Sequence, residues 1–304
     1  MSVQVPNLKF RTKAFDLSAA VTVFLLLLAL PISGRPPCDP FPAVTASFPA
    51  RAGQQAERFT VVSLNMAEET DPETVLGTLG KIDPIGGADV FLLQEVLHSE
   101  SDPRTIAVSM AQELGYSMAF APGDEVKSGV RRGLAVISRF PLSNPEIIPL
   151  AAHTLRFKNR CRVALGVTLQ TSFGPMRVIN LHLDSRINRD QRLRQLRPVL
   201  ESASSFKGPT IVGGDFNTAN VLWIGHVIPL PYLRPQGPAV RKMLQSHGFS
   251  TPFENTGRTF SYLPVKLDWI FLKQLQSLDA GVEPVPFSDH RGLWVRVHPE
   301  GSVE

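Results

Sequence analysis

The sequence predicts one large α/β (α+β) domain, rich in strands, behind an N-terminal hydrophobic helix. Residues 58–300 alternate short apolar runs with helical stretches, and they contain no internal repeat and no break rich in proline or glycine. Hydrophobic residues make up 43% of the chain, which is ample for a single large core. An apolar stretch from Leu17 to Ile32 stands apart near the N-terminus. The pattern therefore separates one globular domain from a short leading segment.

Strands outnumber helices in this domain. Runs of roughly four to eight apolar and β-branched residues, bounded by turn formers, predict strands at 59–64, 89–93, 133–138, 161–169, 176–182, 209–213, 266–272 and 292–297. Apolar residues at helical spacing predict helices from Pro103 to Leu114, Ile187 to Glu201 and Ala239 to His247. This number of strands fits two packed sheets flanked by helices better than one doubly wound sheet.

The leading segment has the features of an export signal or a membrane anchor. Three basic residues within segment 1–13 precede the apolar stretch, whose length lies between a signal-peptide core and a spanning helix. Pro31 and Ile32 occupy the positions where a signal peptidase requires a small residue, which favours an uncleaved anchor over residues 14–33. The basic segment then predicts a cytoplasmic N-terminus and a membrane-anchored domain outside the cytoplasm. Secretion after signal cleavage and a buried globular helix are the alternatives.

The region that follows this segment is rich in proline. The chain beyond residue 33 is also nearly neutral in charge. Residues 34–57 contain five prolines and little periodicity, which predicts an extended or disordered linker. The whole chain has a pI of 9.2, but the part beyond residue 33 holds 28 Lys and Arg against 26 Asp and Glu. The overall charge therefore does not select the substrate.

Cysteine usage excludes two classes of small domain. Cys38 and Cys161 are too few for a disulfide framework and lack the spacing of a zinc site. We expect Cys161, in a predicted strand, to be a small core residue. A single bridge between the two cysteines stays open.

Two motifs place polar groups at the ends of predicted strands. Gly-Gly-Asp-Phe-Asn closes the apolar run at 209–212, and Phe-Ser-Asp-His follows at 287–290. Carboxylates suit a hard cation, while an acid or base beside an attacking water suits hydrolysis of a phosphoryl group. Both motifs therefore point to attack on phosphorus, through Asp215, Asn217, Asp289 and His290.

Four further segments each carry one polar group at or inside an apolar strand. Asn65 ends the run Phe-Thr-Val-Val-Ser-Leu-Asn, and Glu95 ends the run Val-Phe-Leu-Leu-Gln-Glu. His182 lies in Val-Ile-Asn-Leu-His-Leu. Asp268 interrupts Lys-Leu-Asp-Trp-Ile-Phe, where a buried carboxylate requires a partner.

In this order, and with Gly-Leu-Ala-Val-Ile-Ser-Arg at 133–139 between them, these segments resemble the endonuclease/exonuclease/phosphatase superfamily of DNase-I-like proteins. The resemblance extends from residue 59 to residue 297, nearly the whole chain behind the predicted linker. It implies a four-layer α/β/β/α sandwich of two packed, mostly antiparallel sheets flanked by helices. It also implies a divalent-metal-dependent hydrolase of phosphoric esters.

The resemblance implies a metal site built from oxygen ligands. Glu95 matches the principal metal ligand of the family, with Asn65 beside it. Asp289 matches a further acidic group near the ion. Oxygen ligands of this kind favour Mg²⁺ or Mn²⁺.

The resemblance also implies roles for five catalytic residues. Asp215 matches the carboxylate that holds and deprotonates the attacking water, and Asn217 matches the amide that orients the water or the phosphate. His182 matches a donor to the phosphoryl oxygens. His290 matches the second catalytic histidine, and Asp268 matches the carboxylate that fixes its tautomer and favours the imidazolium.

Each residue also has a plainer interpretation. Taken alone, Asn65 is more often a turn former, Glu95 a surface carboxylate, His182 a core histidine and Asp268 a turn cap. The order of the segments favours the catalytic interpretation, and Gln94 is assigned as a backbone brace. The other histidines match nothing and are expected to be surface or structural residues: His98, His153, His226, His247 and His298.

Basic and apolar segments near the motifs bear on the substrate. One basic cluster contains Arg131, Arg132, Arg156, Lys158, Arg160 and Arg162, and another contains Arg186, Arg189, Arg192, Arg194 and Arg197. The second cluster is expected to be a solvated helix face, with a border to an anionic substrate as the alternative. Arg132 is the candidate for a substrate-phosphate contact, alongside Asn217 and His182, and Asp184 is expected at the rim. Residues 221–233 are apolar and expected to be irregular, either filling a satellite core or facing a bilayer or lipid substrate.

The leading hypothesis is a metal-dependent phosphodiesterase in which an activated water attacks nucleic acid in line, as an endonuclease or exonuclease does. A membrane-associated phospholipid or sphingolipid phosphodiesterase, which would use the anchor and the apolar segment, is an alternative of equal weight. A sugar- or inositol-phosphate phosphatase is weaker, because the strand at Asp268 lacks the Trp-Cys-Asp-Arg sequence of those phosphatases. A catalytically inactive binding module is the alternative of a different class, and the presence of every central group argues against it. No obligate protein partner is predicted.

Overall fold

The computed structural model describes residues 42–48, 58–99, 102, 104–153, 155, 160–231 and 235–300. The predicted leading helix, most of the predicted linker, and Arg156 and Lys158 lie outside these residues. Within the described ranges no helix has the length and apolarity needed to cross a membrane.

Short strands dominate the described chain. The strands are β1 (Val44–Ser47), β2 (Phe59–Asn65), β3 (Val90–Ser99), β4 (Ser117–Lys127), β5 (Val130–Ser138), β6 (Leu142–Pro149), β7 (Val163–Thr171), β8 (Gly174–His182), β9 (Thr210–Asp215), β10 (Val221–Ile224), β11 (Ile228–Pro231), β12 (Asp268–Lys273), β13 (Leu275–Pro284) and β14 (Arg291–Pro299). The helices are α1 (Pro72–Leu79), α2 (Ile106–Leu114), α3 (Arg189–Ser205) and α4 (Gly237–Gln245), with a 3₁₀ turn at Ile85–Gly87.

Two large sheets form the domain, and each contains one parallel pair. Seven strands lie in the order β1-β4-β5-β3-β2-β14-β13, and five lie in the order β12-β9-β8-β7-β6. The pairs β2–β3 and β8–β9 are parallel, and the other pairs in these sheets are antiparallel. Parallel neighbours require a crossover, which α1 provides for the first pair and α3 for the second. The carboxyl ends of each parallel pair therefore lie at one end of their sheet.

The sheets pack face to face between two layers of helices. Val61 of β2 lies in a core cluster that joins the facing sheets and includes Leu196 of α3. The next residue, Val62, lies in a second cluster with Val75 of α1 and Met110 of α2. Adjacent residues enter different cores because side chains alternate across a strand. The predicted four-layer α/β/β/α sandwich is confirmed.

A polar bridge crosses the core between the sheets. Gln94 Nε2 of β3 donates to Asn180 Oδ1 of β8 at 2.8 Å, and it also donates to the Leu92 carbonyl at 2.9 Å. Asn180 Nδ2 donates to the carbonyls of Leu93 and Ala135 at 2.8 and 2.9 Å. Both side chains are fully buried. The prediction that Gln94 is a brace is confirmed, and the brace joins the two sheets.

The predicted helices occur with shifted boundaries. Helix α2 begins at Ile106 because Thr105 is its N-cap and accepts a hydrogen bond from the Val108 amide at 3.1 Å. It ends at Gly115, whose φ of +70° is left-handed. Helix α3 runs to Ser205, four residues beyond the predicted end at Glu201. Helix α1, with Asp71 as its N-cap and Pro72 in its first turn, was not predicted.

Two predicted irregular segments and one predicted core residue differ in the structure. Val44–Ser47, inside the predicted linker, pairs with β4 as an edge strand. Residues 221–231 of the predicted irregular segment 221–233 form the antiparallel hairpin β10–β11, because Gly225 and His226, with φ of +57° and +62°, make a left-handed turn between them. Its strands are partly exposed, so they do not fill a satellite core. Cys161 is half-buried and disulfide-bonded, and is therefore not a small core residue.

Candidate active site

The predicted catalytic residues meet at one end of the two sheets. Asn65 ends β2, His182 ends β8 and Asp215 ends β9. Asp215 is the register partner of both His182 and Asp268, so these three residues lie side by side across β8, β9 and β12. The turn before β14 adds His290. The two parallel pairs and one antiparallel neighbour thus supply the site.

The Oδ2 atom of Asp215 is the focus of this site. It lies 3.2 Å from Asn217 Nδ2, 3.3 Å from His182 Nε2 and 3.4 Å from Asn65 Nδ2. His290 Nε2 is 3.9 Å away. Burial, together with the charge of Asp268, raises the pKa of Asp215 to about 7. A carboxyl group that titrates near neutrality among such donors is suited to accept a proton from water.

The backbone around Asp215 holds it in a restricted geometry. Gly214 has φ of +138°, and a Cβ there would come 2.0 Å from the Leu181 carbonyl, so the position requires glycine. Asn217 has φ of +52°, and its backbone N–H donates to Asp215 Oδ1 at 2.8 Å. Left-handed backbone at a residue other than glycine is uncommon and is found at functional sites. The Gly-Gly-Asp-Phe-Asn sequence therefore fixes both the carboxylate and the amide.

His290 and Asp268 form a buried ion pair. His290 Nδ1 donates to both carboxylate oxygens of Asp268, at 2.9 and 3.1 Å, and Thr259 Oγ1 donates to the same carboxylate at 2.6 Å. Burial alone would lower the pKa of His290, but the charge and hydrogen bond of Asp268, with Asp215 and Asp289, raise it to about 10. His290 is therefore an imidazolium at neutral pH, and its Nε2 faces Asp215.

Glu95 lies on the His182 side of the site, in a bulge of β3. The register between β3 and β5 shifts between Leu93 and Val96, and Glu95 itself has φ of +56°. A bulge turns a side chain out of the ladder. Glu95 Oε1 is 3.8 Å from Arg132 Nη1 and 3.9 Å from His182 Nδ1, both too long for hydrogen bonds. With its side chain 20% exposed, the carboxylate can accept another ligand.

Two groups of residues can be weighed as a metal site. Asp215, Asp268 and His290 each place a ligand atom within 4.8 Å of the others. In that group His290 is protonated and uses Nδ1 for Asp268, and a metal ligand histidine must be neutral. Glu95 supplies an accessible carboxylate of the kind that Mg²⁺ and Mn²⁺ prefer, and the buried Asn65 beside it offers Oδ1, which accepts from the Ala67 amide at 3.0 Å. The second group fits a divalent ion better.

Asp289, the third predicted ligand, enters through the loop before β14. Ser288 Oγ donates to the Asn65 carbonyl at 2.6 Å and accepts from the His290 amide at 3.0 Å. Ser288 thereby ties the Asp289 loop to the end of β2. Asp289 is half-buried, and no contact places its carboxylate against Glu95 in the described part of the chain.

Three arginines lie near enough to His182 for their charges to act on it. Burial and the charges of Arg162, Arg160 and Arg132 keep the pKa of His182 well below its usual range, so its ring is neutral. Arg132 lies 2.6 Å from Glu68 and 3.6 Å from Asp124. Among the described residues, Arg132 Nε and Nη2 and Arg162 Nη2 are buried without a hydrogen-bond partner. Such donors favour an anion or water beside them.

Arg192 is a functional residue that the sequence did not indicate. It is fully buried, not part of a solvated helix face, because its guanidinium donates to backbone carbonyls. The acceptors include Asp184 and Phe216, both at 2.8 Å, and Phe216 lies between Asp215 and Asn217. Arg192 therefore supports the catalytic turn from behind.

The prediction that Asp184 lies at the rim is wrong, because Asp184 is buried. Its carboxylate is 3.3 Å from Arg162 Nε and accepts from Gln195 Nε2 at 2.7 Å, so it faces charged and amide groups of the interior. The five histidines expected to be surface or structural lie outside the centre, and His226 Nδ1, for example, contacts the Arg186 carbonyl at 2.7 Å.

Residues 62–290 match the endonuclease/exonuclease/phosphatase family, and the chain belongs to this family of phosphoric ester hydrolases, which typically use divalent metal ions. A 128-residue segment is 30% identical to the UPF0294 protein YE0917 of Yersinia enterocolitica, and it covers 40% of this chain and 42% of that protein. The match thus spans less than half of that relative's length.

Solved structures share the fold at low sequence identity. An endonuclease/exonuclease/phosphatase from Beutenbergia cavernae has a TM-score of 0.64 and 17% identity, over 81% of this chain and 72% of that one. ANGEL2, a 2′,3′-cyclic phosphatase in complex with adenosine-2′,3′-vanadate, has a TM-score of 0.57 and 18% identity, over 80% and 96% of the two chains.

Proposed function

We propose that this protein is a divalent-metal-dependent phosphodiesterase that cleaves nucleic acid. The observation that carries the proposal is the convergence of His182, Asn217 and Asn65 on one oxygen of Asp215, at 3.2 to 3.4 Å, with His290 behind them. These groups surround the place where a water and a phosphoryl group would meet. The similarity to ANGEL2, whose bound adenosine-2′,3′-vanadate is a nucleotide analogue, supports a nucleotide-type substrate.

In this mechanism Asp215 Oδ2 accepts a proton as a water oxygen attacks phosphorus. The new P–O bond forms opposite the bond to the leaving oxygen, which breaks, giving a phosphate monoester and an alkoxide that takes a proton from solvent water to become an alcohol. The neutral ring of His182 and the amide of Asn217 donate to phosphoryl oxygens, and the charge of His290 stabilises the added negative charge. Arg132 and Arg162 lie beside His182 with donors available to a substrate phosphate.

Glu95, Asn65 and Asp289 would hold Mg²⁺ or Mn²⁺. When bound, such a cation neutralises charge that develops on the phosphoryl group and the leaving oxygen. Glu95 is its principal ligand in this proposal because its bulge turns an accessible carboxylate toward the site.

A lipid phosphodiesterase is the second candidate, and the hairpin β10–β11 favours it. Ile224 is 45% exposed at the tip of the hairpin, and the other β10 residues are partly exposed. Partly exposed apolar strands beside a phosphoesterase site suit a bilayer surface. The accompanying proposals are a membrane anchor at residues 14–33 and a domain outside the cytoplasm, without an obligate protein partner. A sugar or inositol phosphatase and an inactive binding module remain weaker alternatives.

The test is a substrate panel for the full chain. Plasmid DNA, RNA, sphingomyelin, phosphatidylinositol and inositol phosphates are incubated side by side with Mg²⁺, Mn²⁺ or EDTA. We expect metal-dependent cleavage of nucleic acid by the wild type and by the control Asp190→Asn, whose side chain is 67% exposed, but not by Asp215→Asn. Cleavage of lipid alone would support the second candidate, and equal cleavage by Asp215→Asn would contradict the mechanism.

A further inference from the structure

A cleft of about 540 Å³ opens beside the candidate active site. Its walls come from the hairpin β10–β11, from the start of α4 and from residues 254–258 and 263–266, and Trp269 lies at its base. Pockets that bind small molecules in proteins have volumes of roughly 300 to 1,000 Å³. The cleft is therefore large enough for a ligand the size of one nucleotide.

The cleft adjoins the catalytic residues along the chain and in space. Two of its lining residues, Thr218 and Trp269, directly follow Asn217 and Asp268, and Trp269 Nε1 donates to Thr218 Oγ1 at 2.9 Å. In the segment that leads to the cleft, the Phe260 ring lies 5.4 Å from the ring of His290 and 5.8 Å from that of Tyr262. Leu263, the next residue, lines the cleft. Two ring contacts thus link this segment to the catalytic histidine.

The lining combines positive charge with apolar surface. Arg241, Arg258 and Lys266 face it against a single acid, Glu254, which pairs with Arg241. Lys266 Nζ lies 3.6 Å from the centre of the Trp269 ring, so its charge is held at the base of the cleft. Arg258 is exposed at the mouth. Lys266 Nζ also donates to the Phe253 carbonyl, so after the Arg241 pair the exposed Arg258 is the lining cation most open to an anion.

Leu263, which lines the cleft, and Tyr262, which precedes it in the chain, both expose large apolar side chains. Tyr262 is 77% exposed and Leu263 is 56% exposed, the highest values among the large apolar residues of the described chain. Adjacent exposed apolar residues at a pocket mark a binding surface. Aromatic side chains beside a positive groove are the features with which proteins hold bases and phosphates of single-stranded nucleic acid.

We propose that this cleft binds the nucleotide next to the scissile phosphate, with the base against Tyr262 and Leu263 and its own phosphate toward Arg258 and Lys266. The assignment of this nucleotide to a substrate rests on the proposed function. The binding itself requires neither metal nor hydrolysis. The cleft then selects substrates that carry a nucleoside on one side of the cleaved bond.

The test measures binding of AMP to the full chain by calorimetry in EDTA, so that catalysis does not contribute. Arg258→Ser and Leu263→Ser alter exposed positions of the cleft, and Arg296→Ser and Leu278→Ser are matched controls at exposed positions of β14 and β13. We expect the Kd for AMP to rise at least tenfold in each cleft variant and to stay unchanged in each control. The KM for a short oligonucleotide should rise in the cleft variants while kcat is retained. A contact that binds the substrate and the transition state equally affects KM alone.

Other outcomes would overturn the proposal. These are an absence of saturable AMP binding, equal binding by all four variants, or binding of dihexanoyl phosphatidylcholine as tight as that of AMP, which would indicate a lipid headgroup. Hydrolysis of bis(4-nitrophenyl) phosphate by the wild type with Mg²⁺ tests the proposed function separately. Hydrolysis without AMP binding would reject only the cleft, whereas AMP binding without any hydrolysis would reject only the activity.

Discussion

The two sides of Asp215 differ in how completely their polar groups are paired. On the closed side, Asp268 accepts hydrogen bonds from His290 and Thr259, and all three residues are buried. On the open side, Glu95 lies 3.8 Å from Arg132, and Arg132 has two nitrogens without a hydrogen-bond partner in the described chain. Paired buried groups hold one geometry, whereas unpaired ones cost free energy until a partner binds.

This difference indicates that the fold alone assembles one side, while ligands complete the other. The closed side supplies a fixed positive charge that needs no cofactor. In the proposed function, the open side would supply a carboxylate for a cation and guanidinium donors for a phosphate. Substitutions on the two sides should therefore fail in different ways, and four predictions test this.

The largest effect is expected on the closed side. His290→Asn and Asp268→Asn should each lower kcat by about 10⁴-fold, about 5 kcal/mol, because the imidazolium and its carboxylate act as a unit. The double variant should be little worse than either single one. Steady-state rates for the four members of this cycle measure the coupling, with the exposed His247→Asn as control. Multiplicative losses would show that the two residues act independently.

The second prediction concerns stability and pH at Asp215 itself. Its pKa rises from 3.8 to about 7 on folding, so its contribution to the free energy of unfolding falls as pH rises from about 4 to about 7 and is constant above that range. Asp215→Asn lacks this loss. The variant should gain up to about 4 kcal/mol relative to wild type between these pH values, at about 1.4 kcal/mol per pKa unit.

Urea unfolding in EDTA at pH 5 and pH 8 spans about two of these pKa units and should show about 3 kcal/mol of this difference. Asp190→Asn, on the exposed face of α3, keeps Asp215, so its stability difference from wild type should not change with pH. If the stability difference between Asp215→Asn and wild type were the same at both pH values, folding would not raise the pKa of Asp215.

On the open side, Glu95→Gln should lower turnover by about 100-fold or more, about 3 kcal/mol, because a neutral amide holds a divalent ion poorly. The residual rate should require a higher metal concentration than the wild-type rate, unlike the residual rate of a closed-side variant. Metal titrations of the rate, with Glu201→Gln on the exposed part of α3 as control, measure it. Retention of more than about a tenth of wild-type turnover at saturating metal would contradict the ligand assignment.

The smallest effect is expected at the hairpin β10–β11, which belongs to neither side. Replacing Trp223 and Ile224 by Ser should change stability by about 1 kcal/mol or less, because both side chains are partly exposed. The backbone bonds between Trp223 and Asn188 would remain. Hydrolysis of a small soluble phosphodiester should be unchanged, and weaker binding to liposomes would favour a lipid substrate. A large fall in melting temperature would mean that the hairpin is core.

Sequence patterns predicted the parts of this molecule that repeat a simple rule. Buried strands ending in a polar residue were visible as apolar runs closed by Asn65, Glu95 and Asp215, and their order predicted the sandwich. Edge strands were missed because β6 and β13 are polar and carry proline or glycine. Their pairing depends on neighbours distant in sequence.

The supporting residues of the site were less visible than its central ones. Arg192 sits in an arginine-rich helix, and only tertiary contacts with the carbonyls of Asp184 and Phe216 distinguish it from its solvated neighbours. Thr259 and Ser288 are common turn residues whose hydrogen bonds to Asp268 and Asn65 appear only after folding. The bulge that turns Glu95 outward also leaves no clear pattern in the sequence.

The bridge between Gln94 and Asn180 has a consequence for how this protein can change over generations. Gln94 precedes Glu95, and Asn180 lies two residues before His182, so the bridge aligns the two halves of the site. Replacing one amide would leave the other without its hydrogen-bond partner in an apolar interior, which lowers stability. Replacing both at once with apolar groups of similar shape changes stability little. Descendants of this chain should therefore keep the two amides together or lose them together, while the outer strands drift independently.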